Sequence, residues 1–111
     1  MLIIEGAQLL KGILEGNVLS IISRGETYGY EILLVLEKYG FNDIYEGTLY
    51  PILTRMENKG IVSCRKAKSP LGPKRKYYSI TKLGEEYYED FKKAFKEITS
   101  NTNAILNAEE L

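Results

Sequence analysis

Apolar residues recur at helical spacing in four stretches of the chain, and two shorter stretches between them are rich in strand-forming residues. The first helix is predicted from Leu9 to Ser23, before Gly25, with its apolar positions at Leu9, Leu10, Ile13, Leu14, Val18, Leu19, Ile21 and Ile22. This stripe is wide enough to predict contacts on two sides, with the core and with a partner subunit. The second helix is predicted from an N-cap at Thr27 to Gly40, with Tyr28, Ile32, Leu33, Leu36 and Tyr39 on or beside its buried face.

The third helix is predicted within residues 45–60 and has two distinct faces. Its apolar face is Leu49, Ile52, Leu53 and Met56. Its other face carries hydrogen-bonding and flat side chains with a single full charge: Thr48, Tyr50, Pro51, Thr54, Arg55 and Asn58. Pro51 favours a start near Gly47 or Thr48, and Gly60 suits a left-handed cap. A short helix presented with its first turn forward is typical of a recognition helix that enters a DNA major groove.

The next stretch predicts a β-hairpin. Residues 61–65 and 76–80 favour strands, and the Ser69 to Pro73 segment, with two prolines and a glycine, predicts the loop between them. A hairpin directly after a recognition helix is a wing, and basic residues flank its loop on both sides.

Thr81 is predicted to cap a last helix that runs to about Leu106, before a fraying tail from Asn107 to Leu111. Its apolar positions follow alternating spacings of three and four: Tyr87, Phe91, Ala94, Phe95, Ile98, Thr102 and Ile105. A helix of roughly 38 Å is too long for one small core. A second copy of the chain is the simplest partner for this seam.

Composition narrows the function. The 111 residues predict one domain with a real core, 44% of them being hydrophobic. With Cys64 as the single cysteine and no histidine, a disulfide framework, a zinc site and histidine-dependent catalysis lack their residues. Glu5 follows the opening apolar residues at once, so neither a signal peptide nor a membrane span is predicted, and a cytoplasmic protein is expected. No cofactor is predicted.

The net charge is zero, but its distribution favours a nucleic-acid partner. Residues 61–84 hold seven basic side chains and no acidic one, which leaves eight basic against 15 acidic residues elsewhere. Phosphate binding depends on local potential, within about 8–10 Å at ordinary salt. The alternative is a solvated surface on a winged-helix module that binds protein and no DNA. An enzyme has little support, because no phosphate loop and no nucleophile beside a base is present.

Single residues also have plainer interpretations. Tyr30 is predicted to be a half-buried core tyrosine, whereas Thr48 and Tyr50 are predicted to contact DNA from the first turn of their helix. Arg55 either contacts DNA or pairs with Glu31 or another surface acid. Phe91 and Phe95 are more often dimer core than ligand site, and Cys64 is predicted to be a small strand residue.

Several motifs together resemble the PadR family of bacterial transcriptional regulators. They are Leu10-Lys-Gly-Ile-Leu-Glu-Gly, Tyr28-Gly-Tyr-Glu-Ile, Glu46-Gly-Thr-Leu-Tyr-Pro-Ile-Leu, Glu57-Asn-Lys-Gly-Ile-Val and Pro73-Lys-Arg-Lys-Tyr-Tyr-Ser-Ile-Thr, in family order from Leu9 to about Ile98. The resemblance implies a winged helix-turn-helix homodimer of the short form, which represses promoters and is often released by a small molecule. The resemblance specifies DNA binding better than it specifies which small molecule releases the protein from DNA.

The predicted fold is therefore mainly α with a small β-hairpin: a winged helix-turn-helix at residues 1–80 and a dimerisation helix with a short tail at 81–111. The predicted partners are double-stranded DNA, a second copy and a planar aromatic effector. The predicted DNA-binding residues are Tyr28, Gly47, Thr48, Tyr50, Pro51, Arg55, Lys66, Lys68, Lys74, Arg75 and Lys76. The predicted dimer interface is Leu10, Ile13, Leu14, Tyr87, Phe91, Phe95, Ile98 and Ile105, and the effector is expected against Leu10, Leu14, Phe91 and Phe95.

Overall fold

The computed structural model describes Leu10 and residues 12–111. Its elements follow one another as α1 (Leu14–Ile22), α2 (Gly29–Lys38), α3 (Glu46–Asn58), β1 (Val62–Lys68), β2 (Lys74–Ile80) and α4 (Lys82–Leu106). The two strands form an antiparallel hairpin, hereafter the wing. The predicted fold class, helices with a two-stranded wing, is confirmed.

One core joins the three short helices to the base of the wing. The apolar faces of α1, α2 and α3 bury against one another, and Tyr78 closes the core from β2; its fully buried members include Val18, Leu19, Ile22, Ile32, Leu49, Leu53, Met56, Ile61 and Val62. The apolar positions predicted for α3 are all buried, so burial of this face sets which face of α3 remains exposed.

The helix boundaries differ from the prediction where non-local contacts intervene. Within the described residues, the first predicted helix contains α1 from Leu14 to Ile22, and Leu10 is also helical; the predicted start at Leu9 lies outside the described residues. The N-cap of α2 is Tyr28, so the prediction of Thr27 was wrong. Thr27 instead pairs through its backbone with Tyr78 of β2, with N···O distances of 3.1 and 2.7 Å. The segment before α2 is therefore bound to the edge of the wing.

Two tyrosines predicted to lie on or near the core are exposed. Tyr30 is 59% exposed because it lies off the side of α2 that Gly29, Ile32 and Leu36 bury, and Tyr39, which follows α2 as its C-cap, is 72% exposed. Helix α3 begins at Glu46, so Pro51 lies inside it and not in its first turn. A proline there leaves the carbonyl of Gly47 without its usual helical donor.

The entry into α4 matches the prediction. The Thr81 hydroxyl accepts a hydrogen bond from the Gly84 N–H at 3.0 Å and donates one to the Gly60 carbonyl at 2.7 Å, which joins the end of α3 to the start of α4. Gly60 has φ +77°, the left-handed conformation expected of it. Gly84 packs so closely on the carbonyl of Ile61 that a β-carbon would overlap it.

Candidate nucleic-acid interface

Helix α3 exposes the face predicted for DNA contact. Gly47, Thr48 and Pro51 are exposed, and Tyr50 keeps 41% of its surface accessible. Tyr45 precedes the helix without a side-chain cap, so no side chain covers the first-turn N–H groups from that position. The N-terminal end of α3 therefore exposes one hydroxyl, from Thr48, close to one aromatic ring, from Tyr50.

The Tyr50 ring rests on α2. A β-carbon at Gly29 would lie 2.6 Å from the Tyr50 hydroxyl and 3.0 Å from its ring carbon Cζ, so the close approach of the two helices depends on a glycine there. This contact fixes where the Tyr50 side chain leaves α3. The sequence carries no sign of it, because Gly29 sits inside an ordinary helical pattern.

The outer half of the wing places four lysines on one face. Lys66 pairs across the hairpin with Lys76, and Lys68 pairs with Lys74. At the base of the same face the pairs are Val62 with Ile80 and Cys64 with Tyr78, which reach the core. Directly opposed like charges destabilise a hairpin. Such pairs are typical of a surface that meets an anionic partner.

The other face of the wing carries the arginines. Arg65 forms a bidentate ion pair with Glu26, with N···O distances of 2.8 and 2.6 Å, and this hydrogen bonding lowers the pKa of the Glu26 carboxyl. Arg75 instead lies over the ring of Tyr28, 3.9 Å from its centroid. The charge of Arg65 is thus neutralised by a local carboxylate, whereas among the described residues Arg75 contacts the face of an aromatic ring and forms no salt bridge.

A cleft separates the wing loop from the N-terminal ends of α2 and α3. It has a volume of about 500 Å³, and its lining includes Tyr28, Tyr30, Tyr50, Lys74, Arg75 and Lys76. This space, hereafter the wing cleft, brings together residues predicted for DNA contact from α3 and from β2, and Tyr28 from the start of α2.

Arg55 lies away from the wing cleft. It pairs with an acidic side chain, as one of its two predicted roles requires, but that side chain is Glu15 and not Glu31. The Arg55 Nε donates to Glu15 Oε2 at 3.0 Å, and Lys59 and the Tyr87 hydroxyl donate to Oε1 at 3.1 and 3.0 Å. Burial alone would raise the pKa of Glu15, but these hydrogen bonds together lower it below its usual value. Glu15 therefore ties α1 to both α3 and α4, hereafter the Glu15 junction.

Helix α4 divides into a packed half and an exposed half. In the first half Tyr88 bonds Ser20 at 2.8 Å and the Phe91 ring packs directly on Gly16 of α1. Beyond it, Phe95 is 44%, Ile98 65% and Ile105 61% exposed. An apolar row of this length has no partner among the described residues of its own chain.

Comparison with known proteins decides the family. A model of the PadR-like transcriptional regulator family matches residues 18–90. The chain belongs to this family. Members are transcriptional regulators and not enzymes, which confirms the prediction on both counts.

Solved structures of transcriptional regulators share the fold, and a sequence relative covers most of the chain. A PadR-like transcriptional regulator of Bacillus cereus is 45% identical, with a TM-score of 0.81 over 92% of this chain and 99% of its own. A transcriptional regulator of Streptococcus is 41% identical, with a TM-score of 0.80 over 90% and 98%. An uncharacterised protein of Lysinibacillus sphaericus is 33% identical over 94 residues, which span 83% of this chain and 86% of its own length.

The residues predicted to bind an effector are only partly brought together in this PadR-like chain. Leu14 is 4% exposed and lies in the core of the single chain, and Phe91 packs on Gly16. Phe95 stacks beside Phe91, with ring centroids 6.0 Å apart, and Leu10 packs against the edge of the core. Phe95 is therefore the member of this set most open to a ligand.

Two further features bear on function. None of the helices within the described part of the chain combines the length and apolar composition needed to cross a bilayer. In the same part, no three histidine, cysteine, aspartate or glutamate side chains are grouped as metal ligands would be.

Proposed function

We propose that this PadR-like chain is a cytoplasmic homodimeric repressor that binds an inverted-repeat operator and is released by a small molecule. The wing cleft is the observation that supports DNA binding most strongly. It sets Tyr50 of α3 beside Lys74, Arg75 and Lys76, which supports a duplex that meets α3 in its major groove and the wing along its backbone.

The roles of the two surfaces differ. Thr48 and Tyr50 lie on the exposed turn of α3 and are proposed to read base edges, together with the close backbone at Gly47 and Pro51. The basic residues of the wing are proposed to bind phosphates: Lys66, Lys68, Lys74, Arg75 and Lys76. Such contacts would contribute to affinity for DNA but not to the choice of base sequence. Arg55 has the weakest support among the proposed DNA-binding residues, since it would have to break its ion pair with Glu15 to reach DNA.

The exposed half of α4 supports the dimer. Phe95, Ile98 and Ile105 form an apolar row that a second α4 would cover, and the interface is proposed to include Tyr87, the outer edge of Phe91, Leu10 and Ile13. Two recognition helices held in this way would be separated by about one DNA turn, roughly 34 Å, so an inverted repeat is the matching operator.

A planar aromatic effector between the subunits is proposed to contact Phe95. To release DNA, it must bind better to a dimer whose recognition helices are wrongly spaced. The test is a titration of planar aromatic compounds with and without operator DNA. Binding that leaves DNA affinity unchanged, or that is unaffected by Phe95→Ala, would remove this part of the proposal.

The DNA part is tested with duplex DNA from the promoter region upstream of the protein's own coding sequence. The variant Lys74→Ala/Lys76→Ala should bind all sequences more weakly and should flatten the plot of log affinity against log salt by up to about 0.9 for each phosphate that is no longer bound. The matched control is Lys93→Ala/Lys96→Ala, which removes the same charge from exposed positions of α4. Thr48→Ala should instead change the preference among operators, by roughly 1–3 kcal/mol where a base edge is read.

Two results would overturn the proposal. Equal slopes for the two double variants would mean that the wing does not bind phosphate. A wild-type protein that binds no duplex in a salt-dependent way would favour the protein-interaction module instead.

A further inference from the structure

Tyr28 holds a different position from the other tyrosines of the wing cleft. It is half-buried and lies beneath Arg75, whereas Tyr30 and Tyr50 are exposed at 59% and 41%. Its place is fixed by the backbone pairing of Thr27 with Tyr78, which sets Tyr28 beside Tyr77 at the edge of β2. A residue covered in this way is poorly placed to touch DNA itself.

The ring of Tyr28 is held rigidly on its other side. Tyr77 meets it edge to face, with centroids 5.8 Å apart, and the Arg65 guanidinium lies 4.8 Å from the centroid of the Tyr77 ring. Arg65 is in turn held by both carboxylate oxygens of Glu26. These side chains form a continuous stack in space. An ion pair with Glu26 anchors one end of the stack, and the other end, at Arg75, is open to the wing cleft.

Arg75 occupies that open end inside the wing cleft. Stacking engages the flat face of its guanidinium and leaves the N–H groups along its edge available. No described carboxylate forms a salt bridge with it, in contrast to Arg65 with Glu26. A stacked guanidinium has also given up part of its rotational freedom before any ligand arrives, which favours a bidentate contact with an anion.

We propose that Tyr28 is a positioning residue, which acts on DNA through Arg75. Its ring holds the Arg75 guanidinium in the wing cleft so that the edge of the guanidinium grips one backbone phosphate of the duplex. The ligand is a phosphodiester, because the charged side chains lining the cleft are all basic. This inference rests on the proposed DNA-binding function and assigns Tyr28 a role other than direct contact.

The test is a double-mutant cycle on operator affinity, measured at several salt concentrations with Tyr28→Leu, Arg75→Ala and the combination. Tyr28→Leu should weaken binding roughly tenfold, because the guanidinium no longer stacks on a ring. Arg75→Ala should weaken it and lower the salt slope by up to about 0.9. In the Arg75→Ala background, Tyr28→Leu should cost less than about twofold more, because nothing remains for the ring to position.

Conservative variants decide the question even if Tyr28→Leu does not fold. Tyr28→Phe keeps the ring and should retain wild-type affinity. Arg75→Lys keeps the charge but not the flat, forked group, and should bind several-fold more weakly. The matched control is Tyr39→Leu, which removes another tyrosine of the same segment from beneath a cation, Lys38 Nζ at 5.7 Å, away from the wing cleft.

Three outcomes would overturn the inference while leaving the DNA-binding proposal intact. They are a loss of affinity with Tyr28→Phe as large as that with Tyr28→Leu, which would mean a hydroxyl contact; additive effects in the cycle; and full affinity for Arg75→Lys. Absence of salt-dependent binding by the wild-type protein in the same titration would instead reject the proposed function, and this inference with it.

Discussion

The hydroxyl of Tyr50 lies over the backbone of Gly29, so close that a β-carbon there would come within 2.6 Å of it. The contact joins the N-terminal ends of α2 and α3, the two helices of the helix-turn-helix. Any side chain at position 29 must push the ring of Tyr50 away from α2, which moves a residue proposed to contact DNA.

Gly29→Ala should therefore damage DNA recognition more than folding. Alanine gains about 1 kcal/mol of helix propensity over glycine, which offsets part of the roughly 1–3 kcal/mol that an overpacked contact costs. Operator affinity should fall about tenfold if Tyr50 reads a base edge. Thermal unfolding and operator titration check the two effects. Tyr50→Phe in the Gly29→Ala background removes the overlapping hydroxyl and should restore stability; no recovery would place the strain elsewhere.

Glu15→Gln should make the protein less stable by about 1 kcal/mol at neutral pH, a modest value because Arg55 and Lys59 are about half exposed. The folded pKa of Glu15 lies below its ordinary value of 4.5, so the folded state favours the charged carboxylate. Its contribution is present above pH 4.5 and is lost as the pH falls through the folded pKa.

The measurement for this prediction is the urea unfolding free energy of both proteins from neutral pH down to about two pH units below the ordinary glutamate pKa. The difference between them should be constant near neutrality and should shrink in acid. A difference that does not change with pH would mean that glutamine disturbs packing and that the ionised carboxylate is not what matters. Glu89→Gln is the control, because Glu89 forms a local i,i+3 pair with Lys92 on the exposed surface of α4.

Ile98→Glu/Ile105→Glu should dissociate the proposed dimer without unfolding the single chain. Both side chains are more than half exposed within one chain, so a carboxylate costs little there, but two copies would bury four charges in their seam. Sedimentation should show a monomer with native helical content and reduced operator affinity. Ser100→Glu/Asn103→Glu adds the same charge to exposed positions outside the predicted seam and should remain dimeric. A dimeric Ile98/Ile105 variant would move the interface to α1.

Gly84→Ala should destabilise the fold by roughly 1–3 kcal/mol, because the added methyl group meets the backbone carbonyl of Ile61 and a backbone cannot swing aside as a side chain does. The melting temperature is the measurement. Gly12→Ala is the control, since none of the described residues lies within 4 Å of a β-carbon there. Equal melting temperatures for the two variants would contradict the close contact between α4 and the end of α3.

The sequence predicted best what local patterns determine. The 25 residues of α4 and the cap at Thr81 follow from spacing and capping chemistry, and the wing loop follows from its prolines and glycine. The wrong predictions concern residues whose environment is set by contacts between distant parts of the chain. The backbone of Thr27 pairs with Tyr78, and Tyr28 caps α2 in its place; Tyr30 is exposed because it lies off the side of α2 that Gly29, Ile32 and Leu36 bury.

The sequence led to a list of candidate DNA-binding residues, but it did not predict how these residues are arranged. The sequence identified both Tyr28 and Arg75, yet nothing in it indicated that one lies on the other. The Glu15 junction was missed for the same reason. Its donors are 40, 44 and 72 positions away from Glu15, and a glutamate on a helix surface carries no signal of such partners.

The opposed lysines of the wing, Lys66 with Lys76 and Lys68 with Lys74, have a consequence for the protein without DNA. Their repulsion opposes the pairing of β1 with β2, and dissolved ions screen it. Added salt should therefore strengthen the hairpin of the free protein while it weakens the grip on DNA. If the proposed operator binds here, its phosphates would offset this repulsion, so binding of the duplex should stabilise the hairpin.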